Sequence, residues 1–136
     1  MKIMLYLWQL PQIVLALFIL LWFRIRGVSI TKSKFKEKII YYININSNWG
    51  VSLGEFIFLS CGYDETIIRH EYGHCIQSLY FGWLYLIAVG IPSAIFTNLW
   101  DQLFHKTWTA AARISWYYSR YPEKWADILG NVDRRY

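Results

Sequence analysis

Cysteine is scarce in this chain of 136 residues, and the two present, Cys61 and Cys75, are too few to staple a small secreted fold together. A disulfide scaffold is excluded, and reduced thiols are the expectation. The length leaves room for one domain and no more. Acidic residues are scarce where the basic ones gather: Arg24, Arg26, Lys32, Lys34, Lys36 and Lys38 stand against Glu37 alone. That local excess of five accounts for the whole net charge of +5. A nucleic-acid-binding face would spread its cations over a folded surface, so one short basic segment argues against nucleic acid and for anionic lipid headgroups.

What the chain has in abundance is apolar. Hydrophobic residues make up 56% and aromatics 20%, beyond ordinary soluble composition, and eight Trp with eleven Tyr suit a membrane interface that accommodates an apolar ring with a polar tip. From Met4 to Phe23 only Gln9 and Gln12 interrupt the apolar run, and about 20 helical residues reach across roughly 30 Å of hydrocarbon. Residues 1–26 therefore read as a transmembrane anchor, kinked at Pro11. Trp22-Phe23-Arg24 replaces the small-residue cleavage site that a signal peptide needs. With Lys2 alone before the run and six cations after it, the positive-inside rule puts the N-terminus outside and residues 27–136 on the cytoplasmic side.

Beyond the basic stretch, Lys38–Asn46 and Val51–Ser60 are rich in β-branched and aromatic residues, with Ser47-Asn48-Trp49-Gly50 between them. They predict a β-hairpin, whose edge either pairs with an extended peptide or simply supports the next helix. Leu79–Val89 and Ala94–Trp100 are apolar, broken by Gly90-Ile91-Pro92-Ser93, and residues 101–121 alternate enough to predict an amphipathic helix. The class expected is an α+β membrane protein.

The chemistry concentrates in His70-Glu71-Tyr72-Gly73-His74. On a helix, residues four apart share a face, so His70 and His74 can turn a ring nitrogen to one metal ion while Glu71 reaches a water beside it. Two histidines and a glutamate among Ile67, Ile68, Cys75, Ile76 and Leu79 are costly to bury without such a partner. Asp64 is placed to cap this helix. Downstream, Tyr121–Gly130 reads as a short helix begun by Pro122 and ended by Gly130, with Glu123 and Asp127 on one face. Alone, those two carboxylates would be taken for a solvated face.

Together, His70-Glu71-Tyr72-Gly73-His74 and Glu123-Lys124-Trp125-Ala126-Asp127 resemble the H-E-x-G-H and E-x-x-A-D elements of the gluzincin metallopeptidases, closest to the membrane-bound HtpX and CAAX prenyl endopeptidase group. The resemblance implies zinc held by His70, His74 and Glu123, water activated by Glu71 as general base, and Asp127 orienting a ligand histidine. It implies a peptide or membrane-protein substrate at the membrane, hydrolysed by a metal-activated water. Because His74 and Glu123 must reach the same ion, residues 79–100 are expected to form a re-entrant or interfacial hairpin turning at Gly90–Ser93, not a crossing. The candidates for stabilising the oxyanion are His105, Arg113, Arg120 and Tyr121, and Asp133 is the reserve third ligand. The chain is shorter than those relatives. Tyr80 stands where a metzincin needs histidine, and Asn131-Val132-Asp133 does not supply the Asp-Gly element of a site-two-type protease. Two other readings stay open: a non-catalytic zinc-stabilised membrane protein, in which Cys75 is a poor fourth ligand, and a small metal-free membrane subunit.

Overall fold

Gly54 decides how the sheet is built. In the computed structural model, which describes residues 2–60 and 64–134, this glycine has a φ of +64°. Glycine adopts that left-handed backbone without the Cβ penalty, and with Glu55 it folds the run 51–60 back on itself. Strands β3 (Gly50–Leu53) and β4 (Phe56–Ser60) consequently pair antiparallel, with Leu53 opposite Phe56 and Gly50 opposite Leu59. The hairpin predicted between 38–46 and 51–60 is not formed. Strand β2 (Lys38–Ile43) runs parallel to β4, with Ile39 opposite Phe56, and takes its antiparallel partner from the basic stretch, β1 (Ile30–Phe35). The order β1-β2-β4-β3 leaves β1 and β3 at the edges. Lys32 and Lys34 project exposed from β1, where charge opposes pairing with another chain.

Alternate residues of the central strands face two cores. Ile43, Leu53 and Phe58 pack with Ala16, Tyr85 and Val89 on one side, and Ile40, Ile57 and Leu59 pack with Cys75 on the other. The sheet thus lies between helix α2 (Leu10–Ile25) with residues 85–89 above it and helix α3 (Glu65–Phe81) below it. The Asp64 carboxylate caps α3 by accepting from Ile67 N–H.

The unbroken transmembrane helix expected over residues 1–26 is not formed. Helix α1 (Lys2–Trp8) meets α2 at an angle of 87°, and no single helix among the described residues is long and apolar enough to cross a membrane. The bend falls at Gln9, not Pro11, because proline in the first turn of a helix gives up an N–H that has no intrahelical partner. Side chains hold the elbow: Trp8 Nε1 donates to Leu79 O at 2.8 Å, Trp83 Nε1 to Leu7 O at 2.7 Å, and Gln9 Nε2 to Ser78 Oγ at 2.9 Å. Gln12 Nε2 adds a bond to Gly82 O. The class is α+β with a mixed four-stranded sheet, without the span that composition suggested.

Residues 79–100 do not turn back either. Helical dihedrals continue through Ile91, at φ −64° and ψ −49°. Proline normally breaks such a run by removing a donor and crowding the carbonyl four residues before it. Here the turns widen, with Ile91 N–H donating to Leu86 O and Trp100 N–H to Ile95 O, five residues back. Ala88 O, four residues before Pro92, accepts from the Tyr121 hydroxyl. The single helix expected over 101–121 is split into α4 (Trp100–Phe104) and α5 (Ala110–Tyr118), the second capped by Thr109. Helix α6 (Glu123–Gly130) follows, closed by Asn131 in the left-handed region.

Candidate metal centre

Two glycines bring the two motifs together. A Cβ placed on Gly73 would lie 1.9 Å from Ala126 O, and one on Gly130 would lie 2.0 Å from Arg69 O, so α3 and α6 touch backbone to backbone. At that separation the short side chains of α6 reach the histidines of α3. Glu123 Oε2 stands 3.0 Å from His70 Nε2 and 3.1 Å from His74 Nε2, and all three residues are buried. Their ligand atoms lie within 4.8 Å of one another.

The far side of each ring is fixed. His70 Nδ1 is 2.7 Å from Asp127 Oδ1, and His74 Nδ1 is 2.7 Å from Gln77 Oε1. Gln77 is itself oriented by its Nε2, which donates to Pro122 O at 3.0 Å and so leaves its oxygen for His74. Asp127 is held as a carboxylate: burial works to raise its pKa, but bonds from His70 and Arg134 outweigh that and keep it low. Both Nδ1 atoms must therefore carry hydrogen, and each Nε2 faces the same carboxylate oxygen. With both rings neutral, three acceptors would face one another in a buried site, which is repulsive unless a cation or a proton lies among them.

That requirement shows in the protonation of the metal-free cluster. Burial pulls the His70 pKa down, but the bonds to Asp127 and Glu123, with the charge of Glu71, overcome it and raise it to about 9. Burial likewise pushes Glu123 up, yet the two histidines hold it well below the carboxylate range. The protein needs a positive charge at this point, and two imidazoles with one carboxylate form a donor set suited to zinc. The Ser93 hydroxyl bonds Glu123 Oε1, leaving Oε2 to face the histidines.

A cavity of about 990 Å³ opens on this cluster, lined by His70, Glu71, His74 and Glu123 and by the edge strand β3. Trp49 O accepts from Ser60 N–H, so by ladder alternation Val51 and Leu53 turn toward β4, while Gly50 and Ser52 turn outward. The Tyr85 hydroxyl meets Ser52 O from that outer side at 3.0 Å. Glu71 is steered by the Ser52 hydroxyl, 2.6 Å from its Oε2. Gly50 lies so near that a Cβ there would sit 2.9 Å from Glu71 Oε1.

The candidates for an oxyanion donor are mostly directed elsewhere. The Tyr121 hydroxyl is bonded to Ala88 O, Arg120 lies over Trp116, and His105 bonds Asp101 while stacked on Trp108. Arg113 does line the cavity but is clamped to Asp101 Oδ2 through Nε at 3.0 Å and Nη2 at 2.7 Å. Beside Ser52, Tyr85 and Ser93, the cavity wall carries the hydroxyls of Tyr117 and Tyr118, which the sequence did not single out; burial pushes both tyrosine pKa values up, that of Tyr118 to about 12. Asp133 is not one of the converging ligands. Cys75 is fully buried under the sheet, its thiol pushed to about 12 by burial, and Cys61 lies outside the described residues. Gln77 had a signal, since it follows His74 by three residues on the same face. Ser52 and Ser93 had none. Set beside known proteins, the chain matches no family model, no curated protein and no solved structure, so the functional argument rests on these residues.

Proposed function

We propose that the protein is a zinc-dependent peptidase. The observation that carries this is the convergence of His70 Nε2, His74 Nε2 and Glu123 Oε2, with both Nδ1 atoms held by acceptors, beside an open cavity. His70, His74 and Glu123 would hold the ion, leaving a fourth position. Bound there, zinc would act as a Lewis acid toward water and a substrate carbonyl. Glu71, which reaches the same cavity without belonging to the ligand cluster, has the chemistry to accept a proton from water and return it to a leaving amine. Ser52 fixes one oxygen of Glu71 and leaves the other for that transfer. The outward groups of Gly50 and Ser52 give an extended peptide a strand edge to pair with, ending where Tyr85 occupies Ser52 O.

The open cavity is also what favours catalysis over a purely structural zinc site, which closes its fourth position with protein. The test is Glu71→Gln, which keeps the size of the side chain and loses the base. Purified wild-type protein should contain one zinc and cleave casein or a fluorogenic peptide library, and the variant should keep the zinc and lose at least about 100-fold in turnover. A wild-type protein that binds no zinc, or a variant that cleaves at the wild-type rate, overturns the reading.

A further inference from the structure

The α1–α2 elbow is built inside out. Gln9 and Gln12, the only polar side chains but for Tyr6, Trp8 and Trp22 between residues 3 and 23, are fully buried, while Phe18 is 64% exposed and Trp22 56%. The same inversion runs through residues 77–97, where Gln77, Ser78 and Thr97 are buried and Trp83, Ile87 and Phe96 face outward. Water selects the opposite arrangement, and an apolar surface this broad is not left open on a monomer in solution. The two stretches meet where the indole bonds of Trp8 and Trp83 lock α1 to the end of α3. From Cys75 to Trp100 the chain carries no charged residue.

Charge says what covers it. The first 36 residues contain no acidic side chain, and the cations gather where α2 ends. Arg24 and Lys32 line a crevice of about 340 Å³ with Leu20, Val28, Ile30 and Tyr41, and neither has an acidic partner among the described residues. Arg26 lies over the exposed Trp22 ring at 4.6 Å. An apolar face bounded by unneutralised cations and amphipathic rings complements an anionic phospholipid layer. A second copy on the same face would set its cationic rim against this one, with no acid in either α1–α2 elbow to meet it. Helix α2 has 16 residues, about 24 Å of rise against roughly 30 Å of hydrocarbon, and α1 turns away from its axis.

We propose that this face is immersed in one side of an anionic bilayer without crossing it, with Arg24 and Lys32 receiving a lipid headgroup phosphate. The inference is independent of the peptidase reading, because none of these residues belongs to the metal cluster. The test is flotation of the full-length protein, diluted from mild detergent, with vesicles of phosphatidylcholine alone or mixed with phosphatidylglycerol. Binding should be at least about tenfold stronger to the anionic vesicles and fall with salt. Arg24→Glu with Lys32→Glu, both surface changes, should remove about tenfold or more of that preference, and Phe18→Ser with Ile87→Ser should weaken binding to every vesicle. Equal binding to neutral vesicles, failure to float, or a stable dimer that leaves the lipid each overturns the proposal. So does an impermeant thiol reagent reaching Lys2→Cys and Ser29→Cys from opposite sides of sealed vesicles, since immersion from one side keeps both ends together.

Discussion

Adding one methyl group at Gly73 should dismantle the candidate metal centre from behind. An alanine Cβ there would stand 1.9 Å from Ala126 O, 2.6 Å from the Ala126 carbonyl carbon and 2.9 Å from its Cα. Ordinary contact begins near 3.4 Å, so α6 must retreat from α3 by about 1.5 Å, and backbone offers no flexible end to give way. Glu123 and Asp127 ride on α6, whereas His70 and His74 ride on α3. A zinc site tolerates ligand displacements of about 0.2 Å, so a shift several times larger costs direct coordination as well as the Asp127 bond to His70. The expected result for Gly73→Ala is a loss of at least about 100-fold in zinc affinity by competition with a chromogenic chelator. Overpacking of about 3 kcal/mol should appear beside it as a fall of about 10 °C in Tm by circular dichroism. Gly90→Ala is the matched control, since its nearest neighbour would be Leu86 Cδ2 at 3.7 Å, and it should leave both quantities near wild type. Wild-type zinc affinity and Tm in Gly73→Ala would refute the backbone contact and the site built on it.

Glu123→Ala should abolish stoichiometric zinc, because Oε2 is the atom both imidazoles face, whereas Asp127→Ala should weaken zinc by ~10–100-fold, because it orients His70 from the far nitrogen. Elemental analysis at matched free zinc separates them, and the reverse order would replace the His-His-Glu site with an aspartate-liganded one. Stability of the metal-free protein should fall as pH rises toward and through about 9: His70 is raised from 6.5 when unfolded to about 9 when folded, so the folded state binds the extra proton between those values. That stabilisation is complete below 6.5 and amounts to at most about 3 kcal/mol; melts in chelator at about pH 6 and about pH 10 should differ by several degrees, and a flat or rising profile would exclude a protonated His70 as the cluster's counter-charge.

Helix α3 was legible because its signals are local: Asp64 at the cap, apolar spacing behind it, and histidines one turn apart. The sheet was misjudged because pairing is decided by single residues whose effect is not periodic. Gly54 converts one long β-rich run into two strands, and the basic stretch 30–35 alternates too weakly to be seen as a strand until β2 offers it a partner. The unbroken helix over residues 1–26 failed for a different reason. Hydropathy registers Gln9 and Gln12 as two blemishes in a span, whereas their direction matters: both amides point at α3 and its end, through Ser78 and Gly82, and they bend the run. Pro92 misled in the other direction, because the helix continues past a breaker in sequence when the turns around it widen and a distant hydroxyl, Tyr121, bonds a carbonyl beside it.

The candidate ligands were accessible to motif reading, but what makes them converge was not. In His70-Glu71-Tyr72-Gly73-His74 the glycine looks like a weak point, since glycine destabilises a helix interior by about 1 kcal/mol relative to alanine. Its value emerges only with α6 in place, where Gly73 receives Ala126 and Gly130 receives Arg69, so that small residues on both helices form a single contact. Glutamate and aspartate then reach the histidines from a helix begun at Pro122, whose carbonyl also holds Gln77 against His74. One close approach thus positions the third ligand, both ring-orienting acceptors and the direction of every lone pair in the site. A motif search weighs the histidines most heavily, yet any pair of histidines four apart on a helix presents two nitrogens to one face. The glycine-to-backbone packing of α3 on α6 is what turns that common arrangement into a buried cluster that could hold a cation.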